Sequence, residues 1–447
     1  AVAAWRRLVG SSLFAARLAS VLLSVVTLGL VAAIARSAGI PVVPAVLLTA
    51  GCYGFAYTAT VARGFALAQL LSVAGIALLL GPERRAARAL AAGMLLGAAT
   101  FANYLAAFVA CAALLHSVIA RPTAILVQAG TQGEVRAGAL GRRVRGDDSG
   151  GRSAAGAAII GFAVWLPADL WFFLAQRDSR AGQFAPFEPV SALTRLGQYA
   201  AANVFGGLPL YVDGAARTSV TIVLSLVLFG MLALIVRRWR HIAAPATRLL
   251  LGMAAAAPPI GLWLLGLVFD NTPIELRYLA FATPFIGLLL AAALPRCLRY
   301  AVLAIQALAL LGLMLRPETM QPARATAMAA ARLVGDGVVL LPYGNDGVGI
   351  VGAFAIEAPP TLRLLVIGRD ASPAEVRARA SSYPRVVLAL LGQDAASRAT
   401  LPVMRHAFTD PCWRPAGEGF NALAFNRICE AECACPPGAS RSPQPRQ

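Results

Sequence analysis

Apolar residues run in ten stretches through the first 315 positions, punctuated by arginines. The stretches cover 13–34, 40–58, 65–81, 89–101, 103–119, 155–175, 218–236, 248–268, 278–294 and 300–315. A perpendicular helix needs ~20 residues to cross a bilayer, so most of these runs predict a transmembrane helix. The fourth and fifth are short and could join into one long helix. The flanking charges argue for two: Arg84, Arg85 and Arg88 precede the pair and Arg121 follows it. One crossing would put one of these groups outside, whereas two crossings keep both inside.

Past residue 316 the pattern changes. GVVLLP (337–342), LRLLVIGRD (362–370) and RVVLALL (385–391) are short apolar runs that read as strands. Between them Ser372, Pro373 and Glu375 mark a helix start over 372–381: a capping serine, proline at the first position and a glutamate closing the box. The predicted fold is therefore an all-α polytopic membrane bundle of about ten transmembrane helices, residues 1–315, followed by a small α/β extracytoplasmic domain, residues 316–447.

Composition agrees. Hydrophobic residues make up 58%, charged residues 13%, and mean hydropathy is +0.69, which excludes an ordinary soluble enzyme. The pI of 10.8 is not a nucleic-acid signal, because most arginines before residue 316 sit at the ends of apolar runs; no nucleic-acid partner is expected. All 39 basic residues are arginine. With ten spans, sixteen arginines fall on inner segments and eight on outer ones, so both chain ends are expected outside a bacterial inner membrane. Residues 121–153, Gly- and Arg-rich, read as a flexible cytoplasmic loop. Residues 177–217 read as a long outer loop carrying Gln183, Phe184, Phe187, Glu188, Tyr199 and Tyr211. Cys412, Cys429, Cys433 and Cys435 cluster near the end of the chain. Cysteines so dense in a loop-rich tail predict disulfides in an oxidising compartment, and His406 has no partner histidine to favour zinc instead.

RRLVGSSLFAARLASVLLSVVTLGLVAAIAR (6–36), with Gly10, Phe14, Arg17, Leu18 and Ser20, resembles the second membrane helix of polyprenyl-phosphate-dependent, GT-C-type glycosyltransferases. That group includes the bacterial lipid A aminoarabinose and galacturonic acid transferases and the protein O-mannosyltransferases. TATVARGFALAQLL (58–71) looks like the family's acidic-Ala-Arg segment at the outer start of a helix. TFANYLAAFV (100–109) looks like its turn between two short helices, and ELRYLAFATPFIGLLL (275–290) like its late Arg-Tyr helix. The order and spacing of these segments carry the resemblance, over about residues 6–315. Val61 stands where an acid is usual and Asn103 where His or Lys is usual. The resemblance implies that the catalytic aspartate, on a first outer loop, precedes Ala1; Ala1–Ser12 then read as an amphipathic entry in an N-terminally truncated chain rather than as a signal peptide.

The implied reaction moves a sugar from a polyprenyl-phosphate donor to a lipid, glycan or protein hydroxyl. Arg63 and Arg277 are the expected ligands of the donor phosphate. Both begin inward-going helices at the outer face, and an arginine fork binds phosphate bidentately. A snorkelling interfacial arginine is the plain alternative. Asn103, Tyr104 and Tyr278 are expected at the substrate; simple packing is the alternative for Tyr104. Asp169, an acid among aromatics in WLPADLWFF, should be paired or functional. Asp169 and Glu275 are the weaker candidates for the catalytic acid, and Glu275 could also orient Arg277, bind a metal or sit solvated; Asp270 is read in the same way. No metal site is legible, although the resemblance is compatible with a divalent cation. His116, His241 and His406 have no ligand pattern.

Two other classes stay open: a transporter or flippase of a lipid-linked or anionic substrate, and a catalytically inactive membrane scaffold. A transporter should show internal repeats, and none is evident. Gly347, Gly349, Gly352 and Asp370 form a literal dinucleotide fingerprint. The first glycine lies five residues past the strand, and the expected topology puts it outside, so it reads as loop glycines in an α/β domain.

Overall fold

The computed structural model describes residues 5, 9, 13–61, 64–81, 86–119, 153–177, 186–212, 214–270, 274–316, 322–344, 349–392 and 395–428. The chain divides into two compact units, one reaching to Met314 and one beginning at Leu315.

The first unit is helical. It contains α1 (Leu13–Ser37), α2 (Val42–Gly51), α3 (Tyr53–Thr60), α4 (Phe65–Leu79), α5 (Ala86–Ala102) and α6 (Ala107–Ile119). An apolar helical segment, Ser153–Ala175, follows, ending in α7 (Leu166–Arg177). Then come α8 (Pro189–Val204), α9 (Gly214–Arg237), α10 (Pro245–Phe269), α11 (Thr283–Ala293) and α12 (Arg296–Leu315). Among the described residues, six helical segments are long and apolar enough to cross a membrane: those starting at Arg17, Ser153, Ala215, Pro245, Leu276 and Arg296. They match six of the ten expected spans.

The other four differ in form. The expected span 40–58 is two helices, α2 and α3, bent by 68° at Cys52. The helices Phe65–Leu79, Ala86–Ala102 and Tyr104–Ile119 are apolar but shorter than a perpendicular crossing. Between α5 and α6, Asn103 is extended (φ −159, ψ 114) and Tyr104–Ala106 form a single 3-10 turn, so these runs are not one long helix. The expected outer loop 177–217 is also more ordered than the sequence suggested. It holds α8, opened by Pro189 at its first position, and a 3-10 turn Leu208–Tyr211.

Close helix packing rests on small residues, as expected where apolar side chains gain nothing by leaving lipid. A Cβ on Gly93 would strike the Ala158 carbonyl, and one on Gly161 the Leu90 carbonyl. The most enclosed span is Leu276–Ala293, 78% of which is buried, with Phe281, Phe285 and Leu288 in the core.

The second unit holds α13 (Pro322–Val334), β1 (Val338–Pro342), α14 (Gly349–Glu357), β2 (Leu364–Ile367), α15 (Pro373–Ala380), β3 (Arg385–Ala389), α16 (Ala395–His406), β4 (Trp413–Gly419) and β5 (Ala422–Arg427). The strands form one sheet in the order β2-β1-β3-β5-β4, parallel across β2-β1-β3 and antiparallel in the β4-β5 hairpin. The three strands read from apolar runs are present. Ser372 and Glu375 make the reciprocal capping box that their spacing implies. Helices α13, α14 and α16 and the closing hairpin had no sequence expectation, and α14 stands where Gly349 and Gly352 were expected in a loop. Gly349 and Gly352 lie within α14, while Gly347 falls outside the described residues. Cys412 is disulfide-bonded; Cys429, Cys433 and Cys435 lie outside the described residues.

Candidate functional site

The Arg-Tyr motif sits on an unusual piece of backbone. Leu276–Ala282 is a seven-residue 3-10 helix leading into α11, longer than such runs commonly are. Its geometry is held from another helix. Gln69, 1% exposed on α4, donates from Nε2 to the Ala280 carbonyl at 2.7 Å and to Thr283 Oγ1 at 3.1 Å. The Thr283 hydroxyl closes the same corner on Ala280 O at 2.6 Å. A primary amide with two donors can satisfy both groups at once in a place water does not reach.

This backbone presents Arg277. Its guanidinium lies 2.5 Å from Glu275 Oε2, with Tyr57 within electrostatic range. It is also 5.3 Å from the ring centre of Tyr278, within cation–π range. Among the described residues, Arg277 Nε is buried without a hydrogen-bond partner. Tyr57 stacks on Tyr53, ring centres 5.9 Å apart, and Tyr104 lies within electrostatic range of Tyr278. Arginine, glutamate and a wall of tyrosines therefore converge, from α3, the turn after α5, and the start of the Leu276–Ala293 span.

The segment once expected as outer loop supports this wall. Asn203, fully buried on α8, accepts the Gly54 amide at 2.7 Å. Gly207 is left-handed (φ +84), and a Cβ there would sit 2.6 Å from the Tyr53 ring. Only glycine combines that conformation with that approach. Phe187 packs edge-on against Trp263, ring centres 5.9 Å apart, and its amide donates to Asp270 Oδ1 at 3.3 Å.

Of the other expected site residues, Arg63 lies outside the described residues. Its neighbours are pinned: Ser20 Oγ donates to Val61 O at 2.9 Å, and Gly64 lies so close to Ala102 that a Cβ would strike that carbonyl. Asn103 has a local task, its Oδ1 accepting from the Leu105 amide at 3.1 Å. Asp169 Oδ2 accepts a hydrogen bond from the Thr100 hydroxyl. Its second oxygen, Oδ1, is buried with no partner among the described residues. Among the described residues no group of three or more His, Cys, Asp or Glu gathers as a metal's ligands would. Glu275 is paired with Arg277.

Gln69, Asn203, Tyr53 and Tyr57 were not singled out by sequence. The available signal was polarity inside otherwise apolar runs, which invites the question of a partner.

A scan against known protein families finds no match, and no curated protein sequence matches. Two solved structures are similar at 12% identity, each over 96% of this chain and 86% of theirs: ArnT from Cupriavidus metallidurans bound to undecaprenyl phosphate, with a TM-score of 0.45, and ArnT from Cupriavidus metallidurans in the apo state, with a TM-score of 0.46. At those scores the likeness adds no weight to the residue-level argument.

Proposed function

We propose that the protein is an integral membrane glycosyltransferase, moving a sugar from a polyprenyl-phosphate donor to a lipid, glycan or protein hydroxyl at the outer face of the inner membrane. One observation carries this reading: a guanidinium held at the start of a largely buried span, with its Nε still unpartnered and tyrosine rings around it. A permanent cation is costly at that depth unless it has an anion to meet, and Glu275 occupies only part of its donor fork. A phosphate oxygen suits the remaining N–H, and the tyrosines suit a sugar, whose faces are apolar and whose edges are hydroxyls.

In this reaction the acceptor oxygen attacks the anomeric carbon. The bond from that carbon to the phosphate oxygen breaks, and its electron pair stays on the phosphate. A carboxylate takes the acceptor's proton. Arg277, with Arg63 as its expected companion, stabilises the charge that grows on the leaving phosphate, which lowers the barrier. Within this chain Asp169 and Glu275 are the weaker candidates for that acid.

The test is binding of undecaprenyl phosphate, and sugar transfer from its glycosylated form, by the purified protein in lipid nanodiscs. The Arg63→Ala, Arg277→Ala double variant should lose both; full binding by that variant overturns the assignment. Transfer by residues 1–447 alone would place the base on this chain.

A further inference from the structure

The bend at Cys52 has an uncommon cause. Neither proline nor an acid lies at the break. The Cys52 amide bonds Thr49 O at 3.2 Å, so the Leu48 carbonyl loses the amide that a continuous helix would supply. It is met instead by the Cys52 thiol at 3.2 Å and by Gln306 Nε2 at 3.2 Å. Gln306, 1% exposed in the middle of α12, also donates to Val204 O at 2.8 Å. Val204 is the last residue of α8, where helix carbonyls run out of intrahelical partners.

One amide thus serves two carbonyls freed at two helix ends, in an interior with no water to do so. Two glycines make room for it. A Cβ on Gly51 would overlap the Gln306 amide, and one on Gly206 would stand 3.2 Å from Gln306 Cα. The far half of the broken pair, α3, carries Tyr53 and Tyr57 and packs against the Leu276–Ala282 run that carries Arg277, with Tyr57 within electrostatic range of that arginine.

We infer that Gln306 is a positioning residue: by stapling the α2–α3 break to α8 it sets where Tyr57 stands, and through Tyr57 it orients Arg277 for an anionic lipid headgroup. This rests on the reading of Arg277 given above. The staple itself does not.

Two variants of the full chain test it, both in nanodiscs with undecaprenyl phosphate as the probe. Gln306→Leu removes the donor at similar volume. Gly51→Ala leaves Gln306 in place but pushes its flexible end aside, and keeps the inference testable if Gln306→Leu fails to fold. Cys52 is fully buried, so its modification by a maleimide, mapped by peptide mass, reports the break independently of any ligand. Both variants should expose Cys52 to the reagent and weaken lipid binding roughly tenfold. Cys52 still protected in the folded variants overturns the staple. Cys52 exposed with binding unchanged overturns the positioning role and leaves a structural one. Absence of binding by the wild-type protein sinks the phosphate reading instead, and Cys52 protection then decides the staple by itself.

Discussion

Glu275 Oε2 stands 2.5 Å from a terminal nitrogen of Arg277, yet the Nε of the same guanidinium is buried with no partner among the described residues. The pair is thus only partly closed. Glu275 neutralises the cation at rest and competes with any incoming anion for it, and about a third of each side chain is exposed. Glu275→Gln should therefore tighten binding of undecaprenyl phosphate several-fold. Arg277→Ala should weaken it by more than roughly tenfold, and Arg277→Lys should fall between, since an ammonium keeps the charge and loses the fork. Equal affinities across the three variants, measured in nanodiscs, would reject the site.

Thr100 and Asp169 should behave as a coupled pair. Thr100→Val leaves the partly buried carboxylate without its donor and should lower stability by about 1 kcal/mol, read as a fall in apparent melting temperature. Removing both partners, as in Thr100→Val with Asp169→Leu, should restore most of that loss. Loss of transfer in Asp169→Asn at unchanged stability would instead make Asp169 the base.

Gln69→Leu should destabilise the protein by about 1–3 kcal/mol, because the 3-10 run Leu276–Ala282 loses its cross-helix support. Weaker undecaprenyl phosphate binding should accompany it, since Arg277 rides on that run. A folded Gln69→Leu protein of wild-type stability and affinity would show that the 3-10 geometry is held by α11 alone.

The α15 cap should titrate. The Ser372 amide and hydroxyl hold the Glu375 carboxyl below the usual carboxylate range, with the Ser372 amide 2.8 Å from Glu375 Oε2. A carboxyl whose folded pKa is lowered adds stability above its unfolded value, ~4.3, and that contribution is lost as pH falls through the folded value. Amide exchange over 373–380 in the full chain should show wild type better protected than Glu375→Gln at neutral pH. The difference should vanish in acid. A constant difference across that range would contradict the capping role.

Membrane orientation rests on arginine placement. Single cysteines at positions 149 and 440, in a background without other reactive thiols, should differ: an impermeant reagent on intact cells should modify only the second. Labelling at 149 from outside would invert the topology.

What the sequence determined alone is mostly what depends on local chemistry. Stretches of ~20 apolar residues cannot be hydrated, so the long spans were legible by length. Ser372, Pro373 and Glu375 announced α15 because a cap is made within four neighbouring residues. Arg277 and Tyr278 stood out because an arginine at a membrane edge invites a reason. The tertiary structure decided the rest. The run 40–58 reads as one continuous span, and the break at Cys52 shows only in the structure, where Gln306, 258 residues from Leu48, donates to the carbonyl the break leaves free. The same holds for Gln69 with Ala280, 211 residues apart. A buried amide shows in sequence as an oddity within an apolar run, but which distant carbonyl it meets is set by the packing of whole helices.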